Sequence, residues 1–316
     1  MMDTTQQNTA KISVIVAAYN AESTLGVAIE SVLMQTHQCV EIIVVDDCSA
    51  DNTFSIAKYY AKRDPRVCVH QTLENSGPSA ARNLAITHAT GDWVAVLDAD
   101  DWFAPTRLAE LLEVALSKRV DMVIDSYFLA DKDNHISYAT KHSNLCPEGE
   151  STSVDAAYFV KNGLGATKPL INAKKIECLR FATHVKSGED LLFYFQLLLT
   201  GASCQFVNKP LYYRTEAPSS LSRANKVRFL SELTSVLALL RRITEQHIAA
   251  KHPGCFDNLL EAIDYRQSIT EDALVAAKWR GWVLRKRASA QPSLLTFHQL
   301  IRHWWNRKQR YAINTL

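Results

Sequence analysis

The chain has 316 residues, of which 47% are hydrophobic and 22% are charged, as in ordinary globular proteins with a full core. Its formal net charge is only +2, and its longest apolar runs are far shorter than the ~20 residues of a membrane-spanning helix. These numbers argue against a membrane-spanning chain and predict one large domain with an appendage.

The cysteines and the N-terminus both predict a cytoplasmic protein. The seven cysteines are an odd number without Cys-x-x-Cys spacing, which favours reduced thiols over a disulfide framework or a zinc site. The first residues, MMDTTQQNTAK, are polar, whereas a secretion signal has an apolar core. We therefore expect no secretion signal.

In chain order, short apolar runs alternate with helical stripes over the first 125 residues. Strands are predicted at residues 12–17, 41–45, 67–69, 93–97 and 121–124, with helices after the first strand, from Asp51, at Pro78 and after Pro105. Near-continuous apolar strands alternating with amphipathic helices indicate a mainly parallel central sheet with helices on both faces. The fold class is therefore α/β and Rossmann-like.

The second half of the chain changes character twice. Residues 126–220 are irregular and punctuated by Gly and Pro, with a clear helical pattern only at 190–199. Beyond residue 222 a leucine stripe predicts a helical C-terminal region, so we expect a boundary near residue 220.

Polar side chains follow three of the predicted strands, at residues 18–22, 46–49 and 98–101. Ligands of open α/β sheets bind at the carboxyl ends of the strands. Asp46 and Asp47 taken alone could merely cap the next helix. The convergence of three strand ends favours a ligand site instead.

The segment VLDADDW, residues 96–102, contains three acids within four consecutive positions. Carboxylates as close as Asp98 and Asp100 raise one another's pKa unless a cation lies between them. Mg²⁺ and Mn²⁺ prefer carboxylate and phosphate oxygens, so a metal diphosphate suits this strand end. Attraction to a helix N-terminus is the alternative, and we keep it as a secondary role for Asp101.

Four ordered blocks carry a family resemblance: VIVAAYNAE (14–22), IVVDDCSADNT (43–53), NSGPSAARN (75–83) and LDADD (97–101). They resemble the family 2 glycosyltransferases with the GT-A fold, and Gly188-Glu189-Asp190 and Tyr213-Arg214 fit the later blocks. The resemblance covers residues 11–220. It implies a GT-A catalytic domain at 1–220, with a nucleotide-sugar half at 11–125 and an acceptor half at 126–220, and leaves 221–316 as the helical C-terminal region.

The resemblance implies roles on the donor side. The nucleotide-sugar-binding residues would be Ala17, Tyr19, Glu22, Asp47, Arg82, Asp98 and Ala99. Tyr19 would flank the base, and Asp47 would accept a hydrogen bond from a uracil-like ring N–H, which suits an acceptor-only carboxylate. Asp100 would anchor Mn²⁺ or Mg²⁺ on the diphosphate of the donor. The expected donor is a nucleotide-diphosphate sugar, with a UDP-sugar as the favoured choice.

On the acceptor side, the resemblance makes Asp190 the general base that deprotonates the attacking hydroxyl, so that direct displacement inverts the anomeric carbon. Glu189, Tyr213 and Arg214 would lie on the acceptor side. The alternative for Asp190 is an ordinary acid at a helix N-terminus. The expected activity is transfer of one sugar to a hydroxyl of a glycan or polyprenyl-linked acceptor in exopolysaccharide or other surface-glycan synthesis.

Three observations qualify the resemblance. Ala17 stands where many members have proline, and Cys48 where many have glycine. QLIRHW at 299–304 has one residue more than the Gln-x-x-Arg-Trp block of processive members. A haloacid-dehalogenase phosphatase would carry its acids after the first strand, not the fourth. A non-catalytic nucleotide-sugar-binding subunit of a glycan assembly complex remains the alternative function.

The charge is unevenly distributed. No acid follows Asp272, whereas nine of the 35 basic residues do, so residues 1–272 carry about −7. Residues 280–310 form a basic amphipathic tail in which two interpretations stay open: a helix lying on an anionic membrane surface, or one packed on the body with its tryptophans inside. Because the body is acidic, no nucleic-acid partner is expected. The chain is expected in the cytoplasm, and the membrane interpretation of the tail would add peripheral association with the inner face of the cell membrane.

Overall fold

The computed structural model of the chain describes residues 9–130, 136–215, 225–251 and 257–288. The strands are β1 (Ile12–Ala18), β2 (Val40–Asp46), β3 (Val67–Gln71), β4 (Trp93–Asp98), β5 (Trp102–Phe103), β6 (Met122–Ala130), β7 (Ile136–Lys141), β8 (Ser151–Val154), β9 (Leu170–Asn172) and β10 (Cys204–Thr215). The α-helices are α1 (Leu25–Leu33), α2 (Thr53–Ala61), α3 (Pro78–His88), α4 (Arg107–Lys118), α5 (Ala156–Asn162), α6 (Glu189–Leu199), α7 (Lys226–Lys251) and α8 (Asp257–Ala288).

The strands of the described residues form one sheet in the order β3-β2-β1-β4-β9-β6-β10-β5. The first four strands are parallel, and their register places Ala17 opposite Asp98 and Ala18 opposite Asp46. The polar segments after β1, β2 and β4 therefore lie at one edge of the sheet. The predicted α/β class is confirmed.

Antiparallel strands in the second half of the sheet were not predicted. The three-residue strand β9 runs antiparallel between β4 and β6. Strands β5, β7 and β8 also pair antiparallel, through shorter registers than the parallel ones. Because β9 is reversed, the chain that enters it comes from the edge where β4 and β6 end.

Two apolar layers cover the two faces of the sheet. On β1, Ile15 belongs to one buried cluster, whereas Val14 and Val16 belong to the other, as the alternation of a strand requires. Helices α3 and α6 pack in the first cluster, and α1 and α4 pack in the second. Leu237 of α7 and Ile263 of α8 extend the first cluster, so the C-terminal helices share its core.

The expected boundary near residue 220 falls outside the described residues and stays a prediction, as does the basic tail from residue 289 onward. The side chains of 280–288 are likewise outside what is described, although α8 runs to Ala288. Of the helices in the described ranges, none combines the length and apolar character needed to cross a membrane.

A buried ion pair fastens the middle of the sheet to α4. Arg107 donates to both carboxylate oxygens of Asp125, at 2.9 and 2.7 Å, and neither residue is more than 2% exposed. The same guanidinium lies 4.3 Å from the centroid of the Phe103 ring and donates to the carbonyl of Lys168. The pair therefore fixes the segment that leads into β9.

The turn after β2 holds Cys48 in a left-handed conformation, with φ of 58°. A side chain costs about 1–2 kcal/mol in that region, which gives a physical reason why the family resemblance leads us to expect a glycine there. The chain keeps the turn with a cysteine in this position.

We expect Cys48→Gly to raise the free energy of unfolding by roughly 0.5–1 kcal/mol, because relief of this strain exceeds the entropy cost of a glycine. Urea denaturation followed by circular dichroism measures the change. Cys48→Ala, which keeps a β-carbon, is the control. Equal stability of the two variants would contradict the explanation.

Candidate active site

Five charged side chains form one network at the carboxyl edge of the sheet. Arg82 of α3 donates through Nη2 to Asp98 at the end of β4, with an N···O distance of 2.8 Å. Its Nη1 lies 3.0 Å from both Glu189 and Asp190 at the start of α6. Arg82 thus joins Asp98, the acid predicted for the donor side, to the predicted base Asp190.

Lys168 is the fifth member of the network. Its Nζ lies 2.5 Å from Oδ2 of Asp190 and 2.9 Å from Oδ2 of Asp98, and its side chain is 6% exposed. Lys168 precedes the reversed strand β9, which delivers it to this edge. The sequence analysis missed it because a single lysine in an irregular segment carries no recognisable pattern.

The network balances three carboxylates against two cations. Burial by itself would raise the pKa of Asp98, but the charges of Lys168 and Arg82 outweigh burial and hold that pKa well below its usual range. Burial would lower the pKa of Lys168, but Asp190 and Asp98 raise it. Asp98 and Lys168 are therefore both ionised at neutral pH.

The pKa of Glu189 shifts in the opposite direction from that of Asp98. Burial and the charge of Asp190 raise the pKa of Glu189 above its usual value, with Arg82 opposing the rise. As the pH falls, Glu189 therefore gains a proton before Asp98 does.

The residues Asp98, Asp100 and Asp101, which we call the acid loop, form a candidate metal site. One carboxylate oxygen from each lies within 4.8 Å of the others. Asp100 is the exposed member. Hard divalent ions such as Mn²⁺ and Mg²⁺ take oxygen ligands of this kind, so the donor set fits either ion.

The alternative role of Asp101, attraction to the N-terminus of the next helix, does not fit the structure, because Asp101 lies six residues before α4 begins at Arg107. Its buried carboxyl group accepts hydrogen bonds from the Tyr212 hydroxyl at 2.6 Å and the Thr215 amide at 2.8 Å. Burial, with the charges of Asp100 and Asp98, raises its pKa well above the usual value. Asp101 therefore ties the acid loop to β10.

Asp47, which was predicted to contact the nucleotide, is 2% exposed and organises the loop before α3. Its carboxylate accepts the Thr72 hydroxyl at 2.9 Å and the amides of Ser76 and Gly77 at 3.1 and 2.7 Å. Tyr19 is half exposed at the neighbouring strand end. The predicted contact of Asp47 with a base stays a prediction.

The remaining predicted donor residues lie around the same strand ends. Glu22 accepts the amide and side-chain N–H groups of Asn52, both at 3.0 Å. Ala17 is partly buried beside the first apolar cluster, and Ala99 is buried in the second. The two alanines contribute no charge to this edge.

Of the two residues on β10 that were predicted for the acceptor side, Tyr213 stacks between aromatic rings, at 5.3 Å from Trp102 and 5.4 Å from Phe128. The Arg214 guanidinium lies 5.8 Å from the centroid of Tyr127. Burial would lower the pKa of Arg214, but Tyr127 and the charges of Asp101 and Asp98 raise it. Arg214 therefore faces the acid loop as a permanent cation.

Comparison with known proteins assigns the family. A sequence model described as glycosyl transferase family 2 matches residues 13–168. The succinoglycan biosynthesis protein ExoO of Rhizobium meliloti is 31% identical over 76% of this chain and 71% of its own length. The chain belongs to glycosyltransferase family 2.

Solved structures show that this family 2 glycosyltransferase has the GT-A fold. Residues 1–349 of S. aureus TarS in complex with UDP-GlcNAc align with a TM-score of 0.60 and 19% identity, over 84% of this chain and 79% of that one. The mannosyltransferase PcManGT from Pyrobaculum calidifontis, in complex with GDP-Man and Mn²⁺, aligns with a TM-score of 0.56 and 21% identity. That alignment covers 96% of this chain and 85% of the mannosyltransferase.

We expect Lys168→Met to lower the free energy of unfolding of the glycosyltransferase by about 3–5 kcal/mol, because it leaves buried carboxylates with one cation fewer. Urea denaturation measures the loss. Lys168→Arg, which keeps the charge, loses less. Lys175→Met removes a more exposed lysine 3.4 Å from Asp121 and is the control, since such pairs contribute only about 0–1 kcal/mol. A loss no larger than that of the control would contradict the buried role.

Proposed function

We propose that the chain is an inverting, metal-dependent glycosyltransferase that moves one sugar from a nucleotide-diphosphate sugar, with UDP-sugars as the first choice, to an acceptor hydroxyl. The observation that carries the proposal is the joining of Asp98 and Asp190 through Arg82 and Lys168. The donor-side acid and the proposed base are thereby held at fixed positions. The resemblance to a succinoglycan biosynthesis protein supports a role in surface polysaccharide synthesis.

The proposed donor site runs along the ends of β1, β2 and β4. Tyr19 flanks the base and Asp47 accepts its ring N–H, while Asp98 faces the sugar. Asp100 holds Mn²⁺ or Mg²⁺, which would neutralise charge on the departing nucleoside diphosphate. The mannosyltransferase structure that contains Mn²⁺ supports this choice of ion.

The proposed base is Asp190, which takes the proton of the acceptor hydroxyl. Two cations contact its carboxylate, one on each oxygen, so they hold the group in one orientation, as a positioned base requires. One base acting in a single displacement inverts the anomeric centre. Glu189, Tyr213 and Arg214 are proposed to border the acceptor.

Turnover of a panel of nucleotide sugars with Mn²⁺ tests the proposal. We expect Asp190→Asn to lower kcat at least ~100-fold, the lower end of general-base effects, with donor affinity close to that of the wild type. Asp100→Ala should instead weaken donor binding in the presence of Mn²⁺. NMR of the product should show an inverted anomeric configuration.

Asp64→Asn is the matched control, because Asp64 pairs with Arg66 on the surface, away from the acid loop. It should turn over like the wild type. Donor binding without turnover on any sugar of the panel would favour the alternative, a non-catalytic nucleotide-sugar-binding subunit. Activity that survives both active-site substitutions would overturn the assigned roles.

The proposed acceptor is a glycan or a polyprenyl-linked glycan, and the basic tail at 280–310 is proposed to contact an anionic membrane at the cytoplasmic face. We expect the full chain to float with phosphatidylglycerol liposomes and a truncation after Ala290 to stay behind, because the truncation removes four basic residues and two tryptophans. High salt should weaken flotation. Equal flotation of both forms would contradict a membrane contact by the part of the tail that follows Ala290.

A further inference from the structure

Three aromatic rings stand in a row on β5, β10 and β6, and we call Trp102, Tyr213 and Phe128 the aromatic ladder. Strand register pairs Tyr213 with Trp102 on one side and with Phe128 on the other. The ring planes are nearly parallel, at 5° and 23°, with centroids 5.3 and 5.4 Å apart. Mutual stacking therefore fixes the orientation of all three rings.

The ladder is not part of the hydrophobic core that the described residues form. The neighbours of its members along the strands, Phe103, Tyr212 and Tyr127, are at most 3% exposed and belong to the second apolar cluster. Successive side chains of a strand point to opposite faces, so the ladder faces the other side of the sheet. There its three rings keep partial exposure, where core packing would have buried them.

The ladder is attached directly to the acid loop. Trp102 follows Asp100 by two residues, and the Tyr212 and Thr215 hydrogen bonds to Asp101 bind β10 on both sides of Tyr213. In the sheet order, β4 separates the ladder strands from β1, β2 and β3. The ladder therefore lies across the acid loop from the proposed nucleotide pocket.

We infer that the aromatic ladder is a stacking platform for a pyranose ring of a saccharide acceptor. The inference rests on the proposed function and names the acceptor class of the same site. A pyranose presents an apolar face of C–H groups with hydroxyls around its rim. The face suits an aromatic ring, whose π-surface carries partial negative charge, and the rim suits the charged groups of the acid loop and Arg214.

The position of Trp102 favours a sugar over a second base or an internal side chain. β5 is the last strand of the path on this side of the sheet, so Trp102 has a ring behind it, Tyr213, but no strand of the described residues beyond it. A rigid ring next to the acid loop would place an acceptor hydroxyl close to the diphosphate.

Saturation-transfer NMR with cellobiose and the methyl pyranosides of glucose, galactose and mannose tests the platform without requiring turnover. We expect at least one saccharide to receive saturation at its ring C–H protons from the wild type, and Trp102→Ala to weaken that binding about tenfold, the effect of losing a small apolar contact. Trp102→Phe keeps a ring and should lose less. Tyr59→Ala removes a half-exposed ring on α2 and should change nothing.

UDP affinity and hydrolysis of the donor by water separate this inference from the proposed function. We expect both to stay at the wild-type level in Trp102→Ala, while transfer to saccharide falls. A wild type that neither binds nor hydrolyses any nucleotide sugar would overturn the proposed function itself. Retained donor binding together with no saccharide signal, or with equal signal in Trp102→Ala, would overturn only the platform. Binding of farnesyl phosphate in place of every saccharide would also overturn it, in favour of a lipid chain.

Discussion

Charge compensation between buried side chains is the constraint on which the rest of this structure depends. Asp98, Glu189 and Asp190 converge from two segments, and Arg82 and Lys168 reach them from two others. Removing one partner of such a pair leaves a buried charge that costs about 3–5 kcal/mol. Because displacing any one of the four segments would leave a buried charge without its partner, the ion pairs hold the segments together. The proposed chemistry takes place at this point.

The reversed strand β9 and the Arg107–Asp125 pair explain how a lysine from the irregular part of the chain reaches this point. β9 is only three residues long, but it enters between β4 and β6 from their carboxyl ends. Arg107 donates a hydrogen bond to the backbone carbonyl of Lys168, and the charge of Arg107 is balanced by Asp125. The carboxyl edge of the sheet is thus supported by a second ion pair that is almost fully buried.

The sequence predicts the parallel half of this fold well because periodicity and composition are local signals. It places β1, β2 and β4 and the acids that follow them, and a family resemblance adds Asp190. It does not predict β9, which is too short for a periodic pattern, or Lys168, which becomes informative only beside Asp98. Attraction of Asp101 to the N-terminus of the next helix was wrong, because the strand residues Trp102 and Phe103 intervene and pair with β10.

The division of the sheet by β4 has an evolutionary consequence. In the described sheet, β1, β2 and β3 pair with none of β5, β6 and β10, and effects of substitutions at well-separated sites usually add. One side can then diverge without disturbing the other, so long as the ionised cluster at the end of β4 is kept. Under the proposed function, the side that includes the aromatic ladder would then take a new acceptor while the other side keeps its donor.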